Sequence, residues 1–153
     1  MTPTKRLQLV QRVTDEKQRQ HARRLAQSRS RVVQCEAKLK ELRGYQAGYI
    51  KDFDQRAAGG IAGAGIREFQ AFLAKLAEAV LQQEELLRQA QSDSDAEQAG
   101  WQGAELRSQI IDKVVDRHAA RENKARDQRD QRESDERGQR KAIGRLDSSG
   151  NQY

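Results

Sequence analysis

The stretch that decides the fold is residues 66–115, IREFQAFLAKLAEAVLQQEELLRQAQSDSDAEQAGWQGAELRSQIIDKVV. Steps of three and four alternate through Ile66, Phe69, Leu73, Leu76, Val80, Gln83, Leu87, Ala90, Ser94, Glu97, Trp101, Ala104, Ser108, Ile111 and Val115. A 3.5-residue spacing keeps one narrow stripe of a helix turned toward a partner helix, the seam of a left-handed coiled coil. A helix pair offers no cleft for chemistry. The repeat therefore points to a protein that acts by contact.

Composition supports this. Of 153 residues, 35% are hydrophobic, 34% charged and 5% aromatic, with one proline. Such a chain cannot fill the interior of a globule, but it can zip two long helices along a stripe. Its dominant residues are good helix formers. The net charge of +6 suits an acidic partner, an anionic lipid surface or nucleic acid, and equally a solvated helix surface rich in arginine. Cys35 is the single cysteine, so no disulfide framework exists. Met1 to Val13 lacks the apolar segment of a secretory signal, and no run approaches the ~20 apolar residues of a membrane span. The cytoplasm is the expected location.

Working outward from the repeat, a first seam runs through Leu25, Ser28, Val32, Cys35, Leu39, Leu42, Gln46, Tyr49 and Phe53, preceded by a weaker stripe of Leu7, Val10 and Val13. Thr2 and Pro3 make a helix start, with Thr2 capping and Pro3 in the first turn. Between the seams lies AAGGIAGAG, residues 57–65, whose glycines favour the turn of a helical hairpin. The expected fold is all-α, an antiparallel coiled-coil hairpin in one domain, 1–143. Helix one is expected at about 3–55, the turn at about 57–65 and helix two at about 66–143, with a disordered tail at 144–153. The turn should bring Tyr49 and Phe53 near Ile66 to Leu73. Ser92-Asp93-Ser94-Asp95 reads as either a break before a third helix or a soft waist in a continuous second helix; the heptad phase survives across it and favours the waist, with His21 and Ser28 opposite. After His118 apolar seam positions give out and charges crowd. That segment is either a lone helix supported by pairs such as Glu122/Arg126, or a tail that orders on a partner.

Signals of catalysis are missing: two histidines, one cysteine and no phosphate-binding loop pattern. No cofactor, metal or small-molecule substrate is expected. His118 falls on the seam phase as a packed or half-exposed residue, and Trp101 as a bulky seam residue between Gly100 and Gly103. More informative is an edge stripe. Tyr45 precedes the seam residue Gln46, Phe72 precedes Leu73, Ala79 precedes Val80 and Leu86 precedes Leu87. In an antiparallel pair these slots fall on one side. With Leu42, Tyr49 and Leu76 they make an apolar, aromatic surface near the hairpin turn, which is either a docking site or a widened seam.

The run Leu39-Lys40-Glu41-Leu42-Arg43-Gly44-Tyr45 continuing to Tyr49, the pattern Phe69, Phe72, Leu73, Leu76, Ala79, Val80 and Gln83, and Trp101 ahead of a basic helix end resemble the FliJ family of flagellar type III export proteins, relatives of the YscO-type injectisome stalk proteins. The glycine-rich turn and the Ser-Asp-Ser-Asp segment depart from the family pattern. The resemblance implies a cytoplasmic stalk, peripheral to the inner membrane through the export apparatus. Its partners would be an export ATPase ring, the cytoplasmic domain of an export-gate membrane protein and chaperones of export substrates. It further implies that Leu42, Tyr45, Tyr49, Phe72, Leu76 and Ala79 dock on the gate. The end bearing both termini, with Arg6, Arg12, Arg117, Arg121 and Arg126, would enter and promote assembly of the ring. ATP hydrolysis would belong to the partner.

Two rival readings stand beside it. A basic coiled-coil arm could bind nucleic acid, although acidic residues alternate with the arginines and no aromatic platform accompanies them. A homodimeric coiled-coil scaffold is the other.

Overall fold

Good helix formers dominate between Pro3 and the glycine turn, and again beyond it, and each run forms one helix. The computed structural model describes residues 2–60 and 62–150. Helix α1 spans Pro3–Ala58 and α2 spans Gly63–Ser149; the described residues contain no strand. The start is as the sequence implies: the Thr2 hydroxyl accepts the Lys5 amide at 3.3 Å, satisfying one free donor of the first turn. The chain divides into two compact units. Unit 1 comprises Met1–Asp15 and Leu106–Tyr153, and unit 2 comprises Glu16–Glu105.

In unit 2 the helices run antiparallel and are joined by the turn. Gly60 has φ +86°, a conformation that costs an L side chain strain and that glycine enters freely. The turn is narrower than residues 57–65. Ala57 and Ala58 stay helical because alanine favours it, and α2 starts at Gly63, with the Ile66 amide bonded to the Ala62 carbonyl at 3.2 Å. Ile61 lies outside the described residues. Leu25, Leu39, Val80, Ala90 and Ala104 are buried, and all five fall on the two seams read from the sequence. Tyr49 and Phe53 meet Phe69, as the turn's position requires. α2 passes through Ser92–Asp95 without a break, and Ser28 lies at that level, lining a shallow depression with Asp93 and Glu97. His21 does not lie there. Its Nδ1 would be 3.2 Å from a β-carbon built on Gly100, so it packs one heptad further along. Glycine at position 100 leaves room for the imidazole, whose buried Nδ1 meets no hydrogen-bonding group among the described residues.

Unit 1 is also an antiparallel pair, but its seam mixes half-buried Leu7, Ile111 and Val115 with polar residues that bond across it. The Thr4 hydroxyl donates to Glu122 Oε1 at 2.6 Å, Gln11 Nε2 to Asp112 Oδ1 at 2.7 Å, and Ser108 Oγ to Asp15 Oδ1 at 2.9 Å. His118 Nε2 sits 3.4 Å from Thr4 Oγ1 and 3.2 Å from Glu122 Oε1, half-exposed on the seam as its phase implies. The expected stripe of Leu7, Val10 and Val13 is corrected. Thr4, Leu7, Gln11 and Thr14 occupy the seam phase, while Val10 and Val13 are 45% and 48% exposed. Continuing the three–four spacing back from Leu25 selects the polar set, because geometry rather than hydropathy decides which residues face the partner. From Arg126 to Gly150 every residue is exposed, since α1 supplies nothing to pair with. Helix continues to Ser149, past the expected end at 143, because nothing breaks it before Gly150; Ser148 and Ser149 donate to the Arg145 carbonyl. Residues 151–153 of the expected tail lie outside the described residues.

Candidate functional site

Two surfaces hold the candidate residues, one in each unit. In unit 2 the positions preceding the seam residues emerge along one edge of the helix pair. Tyr45 is 55% exposed, Phe72 40% and Tyr49 38%, whereas Leu42, Leu76 and Ala79 are half-buried beneath them. Tyr49 is the hinge of the group. Its ring lies 4.5 Å from Phe72 in a tilted contact and 6.2 Å from Phe69 edge-on. Tyr45 donates its hydroxyl to Glu41 Oε1 at 3.3 Å. Leu86, 43% exposed, extends the same edge along α2.

Such an arrangement combines a supported base with exposed aromatic rings. Rings braced by neighbours lose little freedom on being covered, and aromatic residues dominate the energetics of protein docking. The sequence singled out the six edge residues and set Tyr49 and Phe53 near Ile66 to Leu73, but it gave no sign of Arg56 over the cluster. Phe53 meets Phe69 in a tilted contact with ring centres 5.5 Å apart, and the Arg56 guanidinium lies 5.4 Å from the centre of the Phe69 ring. The signal for the rings was present in the clustering of Tyr49, Phe53, Phe69 and Phe72 on either side of the glycine turn. On the opposite edge Arg43 bridges to Glu84 at 3.0 Å, so that edge is closed by charge.

In unit 1 the candidate arginines Arg6, Arg12, Arg117, Arg121 and Arg126 are all exposed, and none takes part in a salt bridge among the described residues. They do not share one face. Arg6, Arg117 and Arg121 fall on the same broad side by heptad phase, while Arg12 falls on the other, beside Lys5 and Gln8. Arg121 and Arg126 flank an open depression with His118, Glu122 and Arg129. It is too open and too mixed in charge to enclose a small ligand. Among the described residues no group of three or more His, Cys, Asp or Glu could hold a metal ion, and no helix is long and apolar enough to cross a membrane.

Compared with known families, residues 4–147 match the family described as Flagellar FliJ protein, nearly the whole chain. No curated protein and no solved structure gives a significant match.

Proposed function

We propose, from the premise that this chain belongs to the FliJ family and is a component of the flagellar export apparatus, that it serves as a non-catalytic coupling element between an export ATPase ring and the export gate. The observation that carries the reading is the braced aromatic edge of unit 2. Tyr45, Tyr49 and Phe72 present exposed rings over Leu42, Leu76 and Ala79, a surface suited to the cytoplasmic domain of the gate protein. Unit 1 supplies the other half. Arg6, Arg12, Arg117, Arg121 and Arg126 are exposed cations, unpaired among the described residues and distributed around the helix pair and its extension, as contact with a surrounding ring would require. In this reading ATP hydrolysis belongs to the ring, the chain works in the cytoplasm against the inner-membrane apparatus, and export chaperones bind it as further partners.

The test is a capture experiment with the purified gate domain and, separately, the export ATPase. Replacing Tyr45 and Phe72 with alanine should weaken gate capture by more than tenfold, since each exposed anchor contributes about 1–2 kcal/mol, while helicity stays constant. ATPase capture should survive those changes and weaken with salt or with Arg117→Gln and Arg121→Gln. Loss of helicity in the aromatic pair would return the edge to a widened seam.

A further inference from the structure

The coupling role leaves an aliphatic strip of unit 1 unused, although three of the ring-contact arginines, Arg6, Arg117 and Arg121, border it. In unit 1 the side of the helix pair that carries Val10 and Val13 on α1 also carries Ile110 and Val114 on α2. These four aliphatic side chains are 45%, 48%, 50% and 40% exposed, with Leu9 and Leu106 (51% and 58%) on the outer shoulders. Each is out of seam phase, so the fold has no use for it.

Charge on that face has one sign. The remaining positions of the same two heptad slots in the paired part of unit 1 are Pro3, Arg6, Arg107, Arg117, Arg121 and Lys124, with no carboxylate among them. The acids sit across the pair. Asp15 and Asp112 are on the opposite edge, each accepting a hydrogen bond from the other helix, and Asp116 lies beside them by phase. None of Arg6, Arg107, Arg117 and Arg121 is spent on a salt bridge among the described residues. Unit 1 is therefore asymmetric across its thickness: an aliphatic strip framed by cations alone on one broad face, and on the other Asp15, Asp112 and Asp116 offsetting Lys5, Arg12 and Arg126.

We infer that this face docks on an anionic lipid bilayer surface, an interaction that goes beyond the coupling role and does not depend on it. Three observations favour lipid over the other occupants. A second copy would bring two cation frames together, which disfavours pairing. By heptad phase Val13 and Ile110 stand one slot out from the groove that Val10 and Val114 flank, so one partner helix seated in that groove does not cover all four; a flat, deformable surface does. The strip also lacks the aromatic anchors that mark protein docking sites, and that unit 2 carries. Arginine and lysine stems can lie along the aliphatic strip while their heads reach lipid phosphates. Among the described residues no helix is long and apolar enough to cross a membrane, so the inferred mode is docking along the surface.

The experiment is co-sedimentation of the full chain with phosphatidylcholine vesicles, with and without phosphatidylglycerol, at low and at physiological salt. The chain should pellet with the anionic vesicles only. Val10→Glu together with Ile110→Glu should weaken partitioning at least about tenfold by placing charge in the strip. Arg107→Gln and Arg117→Gln should each weaken it about fivefold. Arg132→Gln with Arg137→Gln, on the unpaired extension, should change it far less. Circular dichroism checks folding; if the glutamate pair loses helix, Val10→Ser with Ile110→Ser gives the same reading without added charge. Failure to pellet with anionic vesicles, or pelleting unaffected by the strip variants, overturns the inference. So does a strip variant that loses ATPase capture while the parent chain ignores vesicles; that result assigns the face to an acidic protein surface. Loss of gate capture in the aromatic variants bears on the coupling role alone.

Discussion

Unit 2 is held by what it buries and unit 1 by what it pairs. All five buried residues of the described chain lie in unit 2, where leucine and valine fill the seam. Unit 1 buries none. Its seam residues Thr4, Gln11 and Ser108 instead exchange hydrogen bonds of 2.6–2.9 Å with carboxylates of the other helix. Charge and aromaticity divide the same way. Unit 2 holds 14 Lys and Arg against 13 Asp and Glu, and every aromatic residue except Tyr153; unit 1 holds 15 against 10. Apolar seams supply free energy in proportion to the area they cover, whereas a solvent-accessible hydrogen bond gains little over its bonds to water. The contrast teaches that one continuous heptad phase can carry two kinds of interface, a stabilising one and a register-setting one.

The largest effect should come from cutting the apolar seam. Leu39→Ala removes a buried side chain, 5% exposed, and should cost about 2–5 kcal/mol by denaturant unfolding. Leu7→Ala, at a half-buried position of unit 1, should cost well under half as much. Equal losses at the two sites would erase the distinction between the units. Native-state amide exchange reads the same contrast without substitution: amides near Leu25 and Leu39 should be protected longest, and those beyond Arg126 should exchange fastest.

Next in size is the turn. Gly60→Ala forces a β-carbon into a positive-φ conformation and should destabilise by about 1 kcal/mol, although open space surrounds the site. The loss therefore measures backbone strain alone. An unchanged midpoint would mean that the turn does not hold unit 2 to this conformation.

Much of this was legible in the chain. All fifteen seam positions read from Ile66 to Val115 are buried or half-buried, because a strict three–four spacing leaves a helix only one face to present. The glycine turn and the Thr2 cap were equally readable, since each rests on local backbone chemistry. Where hydropathy and phase disagreed, at Val10 and Val13, hydropathy misled. Polar seams carry no apolar signal, so Thr4 and Gln11 stand out only when the three–four spacing is carried back from Leu25. The opposition of His21 and Gly100 had the same cause: one heptad of register moves a residue about 10 Å along a helix, and composition cannot choose between adjacent heptads. The aromatic edge was legible because its residues precede seam positions on both helices. Its support by Phe53, Phe69 and Arg56 required the turn to be placed.

The hydrogen-bonded seam of unit 1 gives a smaller effect. Gln11→Ala removes the donor to Asp112 and should cost about 0.5–1.5 kcal/mol, because Asp112 is half-exposed and water replaces the lost partner. The informative readout is where the loss appears. Exchange should quicken for amides around residues 4–15 and 108–122 and stay unchanged near Leu39. A loss spread evenly through both units would show that they unfold as one cooperative block.

The smallest effect belongs to a surface pair whose geometry looks strong. In unit 2 the Arg88 guanidinium donates to Glu85, 2.9 Å from Nε to Oε2, and this bond holds the Glu85 carboxyl below its ordinary value of 4.5. A depressed carboxyl stabilises the fold above its unfolded value, and that contribution fades as pH falls through the folded one. Both side chains are more than half exposed, so water and salt screen the attraction, and ordering two flexible chains offsets what remains. Glu85→Gln should therefore leave the denaturation midpoint unchanged at pH 7 and the acid unfolding curve unshifted. A measurable shift between about pH 5 and 3 would mean that surface charge, not the buried seam, sets the stability of unit 2.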